Sequence, residues 1–267
     1  MKLNLVIPAA GRGSRFRNVG QLTPKPMIPI LGLPMINWVI GNFSLDSADK
    51  IWIVSQKADN LPTLLGPYLI DLPNEVSFIE IHGVTDGAAS TFEFALKEIP
   101  EMEPVICANS DQFVKLDLND FVSAVRNQEE AGQILTMKAS GDKWSYIQRN
   151  SLNEVTKIVE KIQVSEEATV GIYGWSSAKI AVDSIHEMKK NSDKVKNEYY
   201  LAPSYNYLLK SGGRIQTKHM GEIENDVFGL GTPEDLDSFL NNPHLTKYFD
   251  LVKIRLNIEF ESRSNFL

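Results

Sequence analysis

The fold is decided by residues 3–16, LNLVIPAAGRGSRF, where an apolar run leads into a loop of small residues. Residues 3–7 have the composition of a β-strand, and the alanines and glycines after them let backbone N–H groups approach a ligand closely. In α/β proteins, ligands bind where strands end in loops of this kind. The stretch therefore predicts an α/β fold with an anion-binding loop directly after its first strand.

Strand and helix patterns alternate through the first half of the chain and become less regular later. The alternation is typical of βαβ units, and it predicts a Rossmann-like three-layer α/β/α fold around a mixed, mostly parallel central sheet. Thr232 and Pro233, followed by two acids, are a good helix start. The predicted strands cover residues 3–7, 50–55, 76–82, 105–108, 133–138, 155–160 and 169–174, and the predicted helices cover residues 34–43, 88–97, 119–130, 177–190 and 198–210.

Charge is distributed unevenly along the chain. The net charge is −7, which argues against nucleic acid and anionic membranes as partners. The first 45 residues nevertheless carry five Lys and Arg residues and no Asp or Glu. This local positive charge suits a small polyanion such as a triphosphate. No apolar run reaches the length of a membrane span, so we expect no membrane partner.

The cysteine content and the N-terminus both bear on the compartment. Cys107 is the only cysteine, and it lies in an apolar run. A single cysteine cannot form an internal disulfide, and the N-terminal apolar stretch is too short for a signal peptide. Both observations predict a cytoplasmic protein. We expect Cys107 to be a small buried hydrophobe rather than a nucleophile, and the four histidines lack the spacing of a zinc site.

Two cations accompany the small-residue loop. Arg15 can grip phosphate oxygens with its planar guanidinium, and Lys25 follows between two prolines that stiffen its backbone. A P-loop would need Lys-Ser or Lys-Thr after its glycines, and a dinucleotide fingerprint would need a small residue where Phe16 stands. The loop fits neither pattern, which leaves a different kind of phosphate site or a strand and loop with incidental basic residues.

The loop AAGRGSRF at residues 9–16, together with PKPM at residues 24–27, resembles the N-terminal signature of the sugar-phosphate nucleotidyltransferase family. That family includes glucose-1-phosphate thymidylyltransferases and uridylyltransferases and the cytidylyltransferases of surface-polysaccharide pathways. The resemblance continues at residues 85–90 (TDGAAS), 109–112 (NSDQ) and 231–236 (GTPEDL). It implies a fold of the nucleotide-diphospho-sugar transferase type and a Mg²⁺ cofactor. It also implies transfer of a nucleoside monophosphate from a triphosphate to a phosphorylated acceptor, with release of pyrophosphate.

The resemblance implies roles for residues in both halves of the chain. Arg15 and Lys25 are the expected catalytic cations, with Arg15 stabilising the departing pyrophosphate and Lys25 the α-phosphate. Asp111, which follows an apolar strand, is the expected Mg²⁺ ligand. The expected nucleotide-binding residues are Ala9, Ala10, Gly11, Gly13, Ser14, Gln56, His82, Gly87, Ala88, Asn109 and Ser110, and the expected acceptor-binding residues are Glu160, Lys161, Gly171, Glu198 and Tyr199.

Three of these roles have structural alternatives. His82 is equally explained as a strand-end histidine, and Glu198 as a glutamate at a helix N-terminus. Lys161 has the alternative of a surface partner for Glu160.

The second metal ligand is the main departure from the family. Many relatives carry an aspartate two residues before the Gly-Thr-Pro stretch, and Gly229 stands there in this chain. Asp226 is the expected substitute, with Asn225 as its alternative, if the loop curls back toward Asp111.

We expect one nucleotidyltransferase domain over residues 1–243, with an acceptor-binding subregion at about 140–225 and a C-terminal extension over residues 244–267. CTP is the favoured triphosphate, because residues 86–89 and 109–112 are most similar to cytidylyltransferases. The acceptor is a sugar 1-phosphate, a polyol phosphate or a phosphorylated amide. Trp144, Tyr146 and Trp175 are the candidates for lining its pocket, although aromatic residues at these spacings more often belong to the core.

Two other functions stay open. A glycosyltransferase that uses a nucleotide sugar would need Asp-x-Asp after a strand, whereas residues 111–113 are Asp-Gln-Phe. An inactive nucleotide-binding regulator is suggested only by Gly229. The partners expected are the triphosphate and the acceptor, and a homo-oligomer is left open.

Overall fold

The computed structural model describes residues 1–44, 47–70 and 72–258. The strands are β1 (Asn4–Pro8), β2 (Pro29–Ile30), β3 (Leu33–Pro34), β4 (Lys50–Gln56), β5 (Glu75–Ile81), β6 (Val105–Ala108), β7 (Gln112–Val114), β8 (Gly132–Lys138), β9 (Ser145–Arg149), β10 (Val155–Glu160), β11 (Glu167–Trp175), β12 (Ile215–Glu222) and β13 (Val227–Gly229). The α-helices are α1 (Ser14–Asn18), α2 (Met35–Ile40), α3 (Leu61–Leu69), α4 (Ala88–Leu96), α5 (Asn119–Arg126), α6 (Ala178–Lys190), α7 (Tyr205–Lys210), α8 (Pro233–Leu240) and α9 (Leu245–Leu256).

One mixed sheet forms the centre of the fold, with β1 in its middle. β1 pairs in parallel with β4 on one side and with β6 on the other, and β5 extends the sheet beyond β4. β11 joins β6 in the antiparallel direction, and β8, β9 and β10 continue the sheet on that side. The predicted α/β fold with a mixed sheet is confirmed. The parallel strand pairs of this sheet are β6 with β1, β1 with β4, β4 with β5, and β8 with β12.

Helices cover both faces of the sheet, because successive side chains of a buried strand point to opposite sides. Leu5 and Ile7 pack in one hydrophobic cluster with helices α2, α3, α5, α8 and α9. Val6, between them in sequence, packs in a second cluster with α4, α6 and α7. Cys107 is fully buried in the second cluster, as predicted, and burial raises the pKa of its thiol. The arrangement is the predicted three-layer sandwich.

The helix predicted over residues 198–210 is wrong over its first half. Lys196 and Asn197 have positive φ angles of 49° and 64°, and α7 begins only at Tyr205. Pro203 lies in a short turn before α7 and has no N–H to contribute to a longer helix. Glu198 therefore lies in an irregular segment, and its explanation as a glutamate at a helix N-terminus is wrong.

The C-terminal helix α9 packs into the first cluster. Val252 is fully buried, and a Cβ on Gly41 would lie 2.8 Å from its side chain. Arg255 donates hydrogen bonds of 3.1 Å to the carbonyl oxygens of Gly41 and Val114, which ties α9 to the rest of the fold. The boundary after residue 243 stays a prediction, and residues 259–267 of the expected extension lie outside the described residues.

Within the described ranges, no helix combines the length and the apolar composition that a membrane span would need.

Candidate active site

The small-residue loop after β1 is held by the strands around it. Ala9 N–H donates to the carbonyl oxygen of Val54 at 2.7 Å, and both Ala9 and Ala10 are buried. Gly13 then turns the chain into α1 with a φ of 60°, and a Cβ there would lie 3.3 Å from the Cβ of Lys25. The loop and Lys25 therefore pack closely together, and the positive φ favours glycine at position 13.

The other predicted residues of the nucleotide region lie around this loop. Gln56 Nε2 donates to the carbonyl oxygen of Ala10 at 3.0 Å, so Gln56 fastens the loop. Gly11 has open space where a Cβ would be, and Ser14 begins α1 with an exposed side chain. His82 is exposed directly after β5. Contact of these residues with a nucleotide stays a prediction.

The predicted catalytic lysine and the predicted metal ligand are in contact. Lys25 Nζ donates a hydrogen bond to Asp111 Oδ2, just beyond the end of β6. Leu230 N–H donates to the Asp111 carbonyl oxygen at 2.8 Å, and a Cβ on Gly231 would lie 2.7 Å from Asp111 Oδ2. The loop after β13 thus closes directly onto the ion pair, and a side chain at position 231 would collide with it.

A cavity of about 290 Å³ opens beside this ion pair. Arg15 lines it and makes no ion pair with any residue in the described part of the chain. An unpaired guanidinium next to a lysine–aspartate pair is suited to bind phosphate oxygens. The cavity is lined by Pro8, Arg15, Ala88, Asn109, Ser110, Asp111, Gln112, Lys143, Trp144, Ser145, Glu160, Thr169, Gly171, Tyr173, Tyr200, Leu201, Ala202, Gly229, Gly231 and Asp235.

One part of the cavity wall is rich in hydrogen-bond acceptors. Glu160, at the end of β10, is only 7% exposed and accepts a hydrogen bond from Ser145 Oγ. Burial raises the pKa of this carboxyl. In β11, Gly171 has a φ of 91°, and a Cβ there would lie 2.1 Å from Gln112 Oε1 and 2.5 Å from Asn109 Nδ2. Gly171 therefore makes room for these two side chains, and Gln112 Oε1 has no hydrogen-bond partner among the described residues.

Tyr199, an expected acceptor-binding residue, holds the turn before α4 instead. Its side chain is buried, its N–H donates to the Asp86 carbonyl oxygen at 2.7 Å, and its carbonyl oxygen accepts from Ala89 N–H at 3.1 Å. A Cβ on Gly87, whose φ is 132°, would lie 2.4 Å from the same carbonyl oxygen. The next residue, Tyr200, is the one that lines the cavity, which corrects the prediction by one position.

Lys161, Glu198 and Tyr200 form one cluster. Lys161 follows β10 with a φ of 57°, and its Nζ donates to the Tyr200 hydroxyl and lies 4.0 Å from the ring centroid. Burial lowers the pKa of the Lys161 ammonium, and the charge of Glu160 opposes that shift. Glu198 is close enough to the Tyr200 hydroxyl to raise its pKa. Lys161 is thus partnered by the phenol rather than by Glu160.

The structure separates Asp226 from Asp111. Val227 of β13 lies opposite Val114 of β7, so Asp226 lies beside Lys115. That position is four residues from Asp111, or roughly 13 Å at about 3.3 Å per residue. The Asp226 carboxylate pairs with Lys115 Nζ at 2.7 Å, and this contact lowers the pKa of Asp226. The expectation that Asp226 supplies the second metal carboxylate is therefore corrected, because the strand pairing prevents the loop from curling back.

Asp235 is a carboxylate of the cavity that the sequence reasoning missed. A Cβ on Gly229 would lie 3.7 Å from Asp235 Oδ2, and both Asp235 and Asp111 line the cavity. Asp235 Oδ1 pairs with Lys143 Nζ at 2.8 Å. The cap at Thr232, whose Oγ1 accepts from Asp235 N–H, fixes Asp235 in the first turn of α8. The cap could be predicted from the sequence, but the proximity to Gly229 depends on the tertiary fold.

The aromatic residues expected to line the pocket divide between cavity and core. Trp144 lines the cavity. Tyr146 and Trp175 are fully buried in the two hydrophobic clusters, so for these two residues the core alternative holds.

Comparison with known proteins decides the family. The family profile described as nucleotidyl transferase matches residues 4–208, which is more than half of the chain. The chain belongs to the nucleotidyl transferase family. The resemblance that residues 9–16 and 24–27 predicted is thereby confirmed.

Two curated relatives give the range of similarity for this nucleotidyl transferase. The bifunctional protein GlmU of Methanocaldococcus jannaschii is 25% identical over 249 residues, which cover 84% of this chain and 58% of that protein. The UTP–glucose-1-phosphate uridylyltransferase of Synechocystis sp. is 28% identical over 146 residues, which cover 51% of this chain and 36% of that protein. The chain thus spans 58% of the length of the first relative and 36% of the length of the second.

Solved structures share the fold of this nucleotidyl transferase. The nucleoside-diphosphate-sugar pyrophosphorylase from Vibrio cholerae RC9 superposes with a TM-score of 0.76 at 22% identity and covers 89% of this chain and 100% of its own. The inositol-1-phosphate CTP transferase from T. maritima superposes with a TM-score of 0.71 at 19% identity, covering 95% and 96%. The likeness confirms the predicted nucleotide-diphospho-sugar transferase type of fold.

Proposed function

We propose that this chain transfers a nucleoside monophosphate from a nucleoside triphosphate to a small phosphorylated acceptor and releases pyrophosphate. The observation that carries the proposal is that Arg15 and Asp111 line one cavity beside the glycine loop and that Lys25 pairs with Asp111. Two cations and one carboxylate in that arrangement can align two phosphate-bearing molecules that repel each other. Membership of the nucleotidyl transferase family supports the same reaction class.

The proposed reaction is an in-line displacement at the α-phosphorus. An oxygen of the acceptor's phosphate forms the new O–P bond, and the bond to the bridging oxygen of pyrophosphate breaks, so its electron pair leaves with pyrophosphate. A phosphate monoester is already largely ionised at neutral pH, and therefore no general base is needed. Arg15 stabilises charge on the departing pyrophosphate, and Lys25 stabilises charge on the α-phosphate and the incoming phosphate.

Asp111 is the residue that would hold Mg²⁺. Its carboxylate is an oxygen ligand of the kind that Mg²⁺ prefers, and 24% of the side chain is exposed. Within residues 1–44, 47–70 and 72–258, no three His, Cys, Asp or Glu side chains cluster closely enough to hold a metal ion by themselves. This arrangement fits a site in which triphosphate oxygens and water complete the coordination. Bound Mg²⁺ would supply neutralisation of triphosphate charge at Asp111, beside the Lys25 ammonium.

The triphosphate and the acceptor are proposed on different grounds. CTP rests on the sequence of residues 86–89 and 109–112 alone. For the acceptor, Glu160 and Gln112 place hydrogen-bond acceptors in the cavity wall, which suits hydroxyl or amide donors. Sugar 1-phosphates, polyol phosphates and phosphorylated amides all carry such donors. We further propose a cytoplasmic role in making precursors of surface polysaccharides, which rests on the sequence signature.

A pyrophosphate-release screen tests the proposal. CTP, UTP, dTTP and GTP are each mixed with a panel of phosphorylated metabolites and Mg²⁺. The expected result is that one triphosphate and one acceptor together release pyrophosphate in step with loss of the acceptor, with CTP giving the largest signal. A triphosphate that binds and is never consumed would instead identify a regulator. Transfer of sugar from a nucleotide sugar, without pyrophosphate release, would identify a glycosyltransferase.

A further inference from the structure

Tyr200 holds the Lys161 ammonium in a way that the proposed reaction does not by itself explain. Lys161 Nζ donates a hydrogen bond to the Tyr200 hydroxyl and lies 4.0 Å from the centroid of its ring. Lys161 forms no ion pair with a carboxylate in the part of the chain that the structure describes. Glu160 and Glu198 are nevertheless close enough for their charges to influence it. The direct partner of this ammonium is therefore a neutral phenol.

The phenol contacts the cavity, and the ammonium contacts the phenol. Tyr200 lines the cavity, whereas Lys161 is not among the described residues that do. Burial raises the pKa of the Tyr200 hydroxyl, and the nearby Glu198 raises it further, so the hydroxyl is protonated at neutral pH. The charge of Arg15 acts on both Tyr200 and Lys161, which means that the guanidinium is near both. The Lys161 ammonium and the Arg15 guanidinium, neither of which has a carboxylate partner in the described residues, thus both act on this neutral hydroxyl.

The backbone beside Tyr200 is fixed, while the Lys161 side chain is long and flexible. Tyr199 makes backbone hydrogen bonds with Asp86 and Ala89 at 2.7 and 3.1 Å, directly before Tyr200 in the chain. A lysine ammonium sits on a flexible four-carbon stem, so its position depends on the partner that holds it. The Tyr200 ring and hydroxyl therefore determine where the Lys161 ammonium lies.

We propose that Tyr200 is a positioning residue that keeps the Lys161 ammonium at the cavity wall and releases it to the phosphate of the acceptor. The inference rests on the proposed function, because the acceptor's phosphate is the anion concerned. A phosphate dianion is a stronger partner for an ammonium than a neutral phenol is, so the exchange favours phosphate. A carboxylate in the same place would compete with the phosphate through its own charge. A phenol is therefore suited to hold a lysine that has to change partners in every turnover.

The chain offers a matched control for this arrangement. Lys210 Nζ lies 4.2 Å from the centroid of the Tyr207 ring, and the Tyr207 hydroxyl is hydrogen-bonded to Asp193 Oδ2 at 3.1 Å. This is again a lysine over a tyrosine ring whose hydroxyl has an acidic partner, and Tyr207 is not among the described residues that line the cavity. Tyr200→Phe and Tyr207→Phe therefore remove the same hydroxyl in similar surroundings, and both keep the ring.

Steady-state kinetics of the two variants, with the acceptor and triphosphate found by the screen, separate positioning from a structural effect. Tyr200→Phe is expected to raise the KM for the acceptor roughly five- to tenfold, as loss of one hydrogen bond to a charged group does, with less than about a twofold change in the KM for the triphosphate. Tyr207→Phe is expected to leave both KM values unchanged. In a Lys161→Met background, adding Tyr200→Phe should change the acceptor KM less than about twofold, because the lysine is no longer there to be positioned.

A second readout does not require turnover. Labelling of lysines with an amine-directed reagent, followed by peptide mass spectrometry, gives the reactivity of Lys161 with and without inorganic phosphate as the probe anion. We expect phosphate to protect Lys161 in the wild type, and we expect Tyr200→Phe to raise the unprotected labelling rate several-fold while Tyr207→Phe does not. If phosphate protects Lys161 in this pattern but no triphosphate is ever consumed, the proposed function fails and the positioning role stands. Equal behaviour of the two tyrosine variants in both experiments would overturn the positioning role, even in an active enzyme.

Discussion

The two lysines expected to meet phosphate are held in opposite ways. Lys25 lies against the Asp111 carboxylate, next to the parallel half of the sheet, whereas Lys161 lies against the neutral phenol of Tyr200, next to the antiparallel half. A carboxylate fixes a lysine but offsets its charge until the carboxylate binds something else, while a phenol leaves the positive charge available. The contrast indicates that the triphosphate side is organised by ion pairing and the acceptor side by burial and aromatic contact.

The largest effect is expected from removing either cation of the triphosphate side. Arg15→Ala and Lys25→Ala should each cost about 3–5 kcal/mol in the transition state, a loss of roughly 200- to 4,000-fold in kcat/KM. The melting temperature should stay within a few degrees, because Arg15 is exposed and Lys25 belongs to the site rather than to the core.

Arg17→Ala is the matched control, because Arg17 is an exposed cation on the same short helix and does not line the cavity among the described residues. Normal turnover by Arg15→Ala or Lys25→Ala, or an equal loss in Arg17→Ala, would contradict the roles given to them.

The next effect separates Asp111 from Asp226, which are both paired with a lysine. Asp111→Asn should lower kcat/KM by about 100-fold or more and should weaken Mn²⁺ binding, measured by electron paramagnetic resonance in the presence of triphosphate. Asp226→Asn loses a comparable contact, with Lys115, and should leave activity and Mn²⁺ binding within about twofold. A fall in Mn²⁺ affinity in Asp226→Asn as large as in Asp111→Asn would show that Asp226 is a metal ligand after all.

An intermediate effect, on stability, is expected at Gly171, the glycine that makes room for the side chains of Gln112 and Asn109. Gly171→Ala places a methyl group 2.1 Å from Gln112 Oε1 at a positive φ, so it should lower the free energy of unfolding by about 2–4 kcal/mol from backbone strain and overpacking together. Gly212→Ala, at a similar φ of 87° but with nothing within 4 Å, should lose only about 1 kcal/mol. Urea unfolding measures both values, and equal losses would mean that the close approach to Gln112 does not constrain position 171.

The smallest effect is the pH dependence of stability that arises from Glu160, the buried carboxyl in the cavity wall. Burial raises the folded-state pKa of Glu160 above its usual 4.5, so the folded state holds the proton more tightly than the unfolded state. The free energy of unfolding should therefore fall as pH rises from about 4.5 through the folded-state pKa, and level off above it. In Glu160→Gln this fall is expected to be absent.

Urea unfolding between about pH 4 and pH 8 measures the difference between Glu160→Gln and the wild type. Glu154→Gln, at an exposed position between β9 and β10, should keep the pH dependence of the wild type. A constant difference between Glu160→Gln and the wild type across this range would contradict the prediction.

The parts of the fold that could be predicted from the sequence depend on local signals. The strands at Val105–Ala108 and Val155–Glu160 were predicted with their observed bounds, because short apolar or alternating runs are bounded by turn residues. The contact of Lys25 with Asp111 follows the same logic, since a glycine loop and a strand end meet at one sheet edge.

The features that could not be predicted depend on tertiary pairing. Tyr199 and Tyr200 are adjacent and chemically alike, and only the backbone bonds to the turn before α4 decide which of them faces the cavity. In the same way, the pairing of β13 with β7 places Asp226 beside Lys115, and the packing of α8 brings Asp235 near Gly229. None of these contacts has a pattern in the local sequence.

We propose that Arg15, Lys25 and Asp111 act together on the α-phosphate of a triphosphate. Triphosphate labelled with ³²P at the α-position, incubated with the wild type, Mg²⁺ and the acceptor found by the screen, tests this claim directly. The label should appear in an acceptor-linked product while unlabelled pyrophosphate is released, and Lys25→Ala should bind the triphosphate without forming that product. Label that remains in intact triphosphate with every acceptor, or equal product formation by Lys25→Ala, would contradict it.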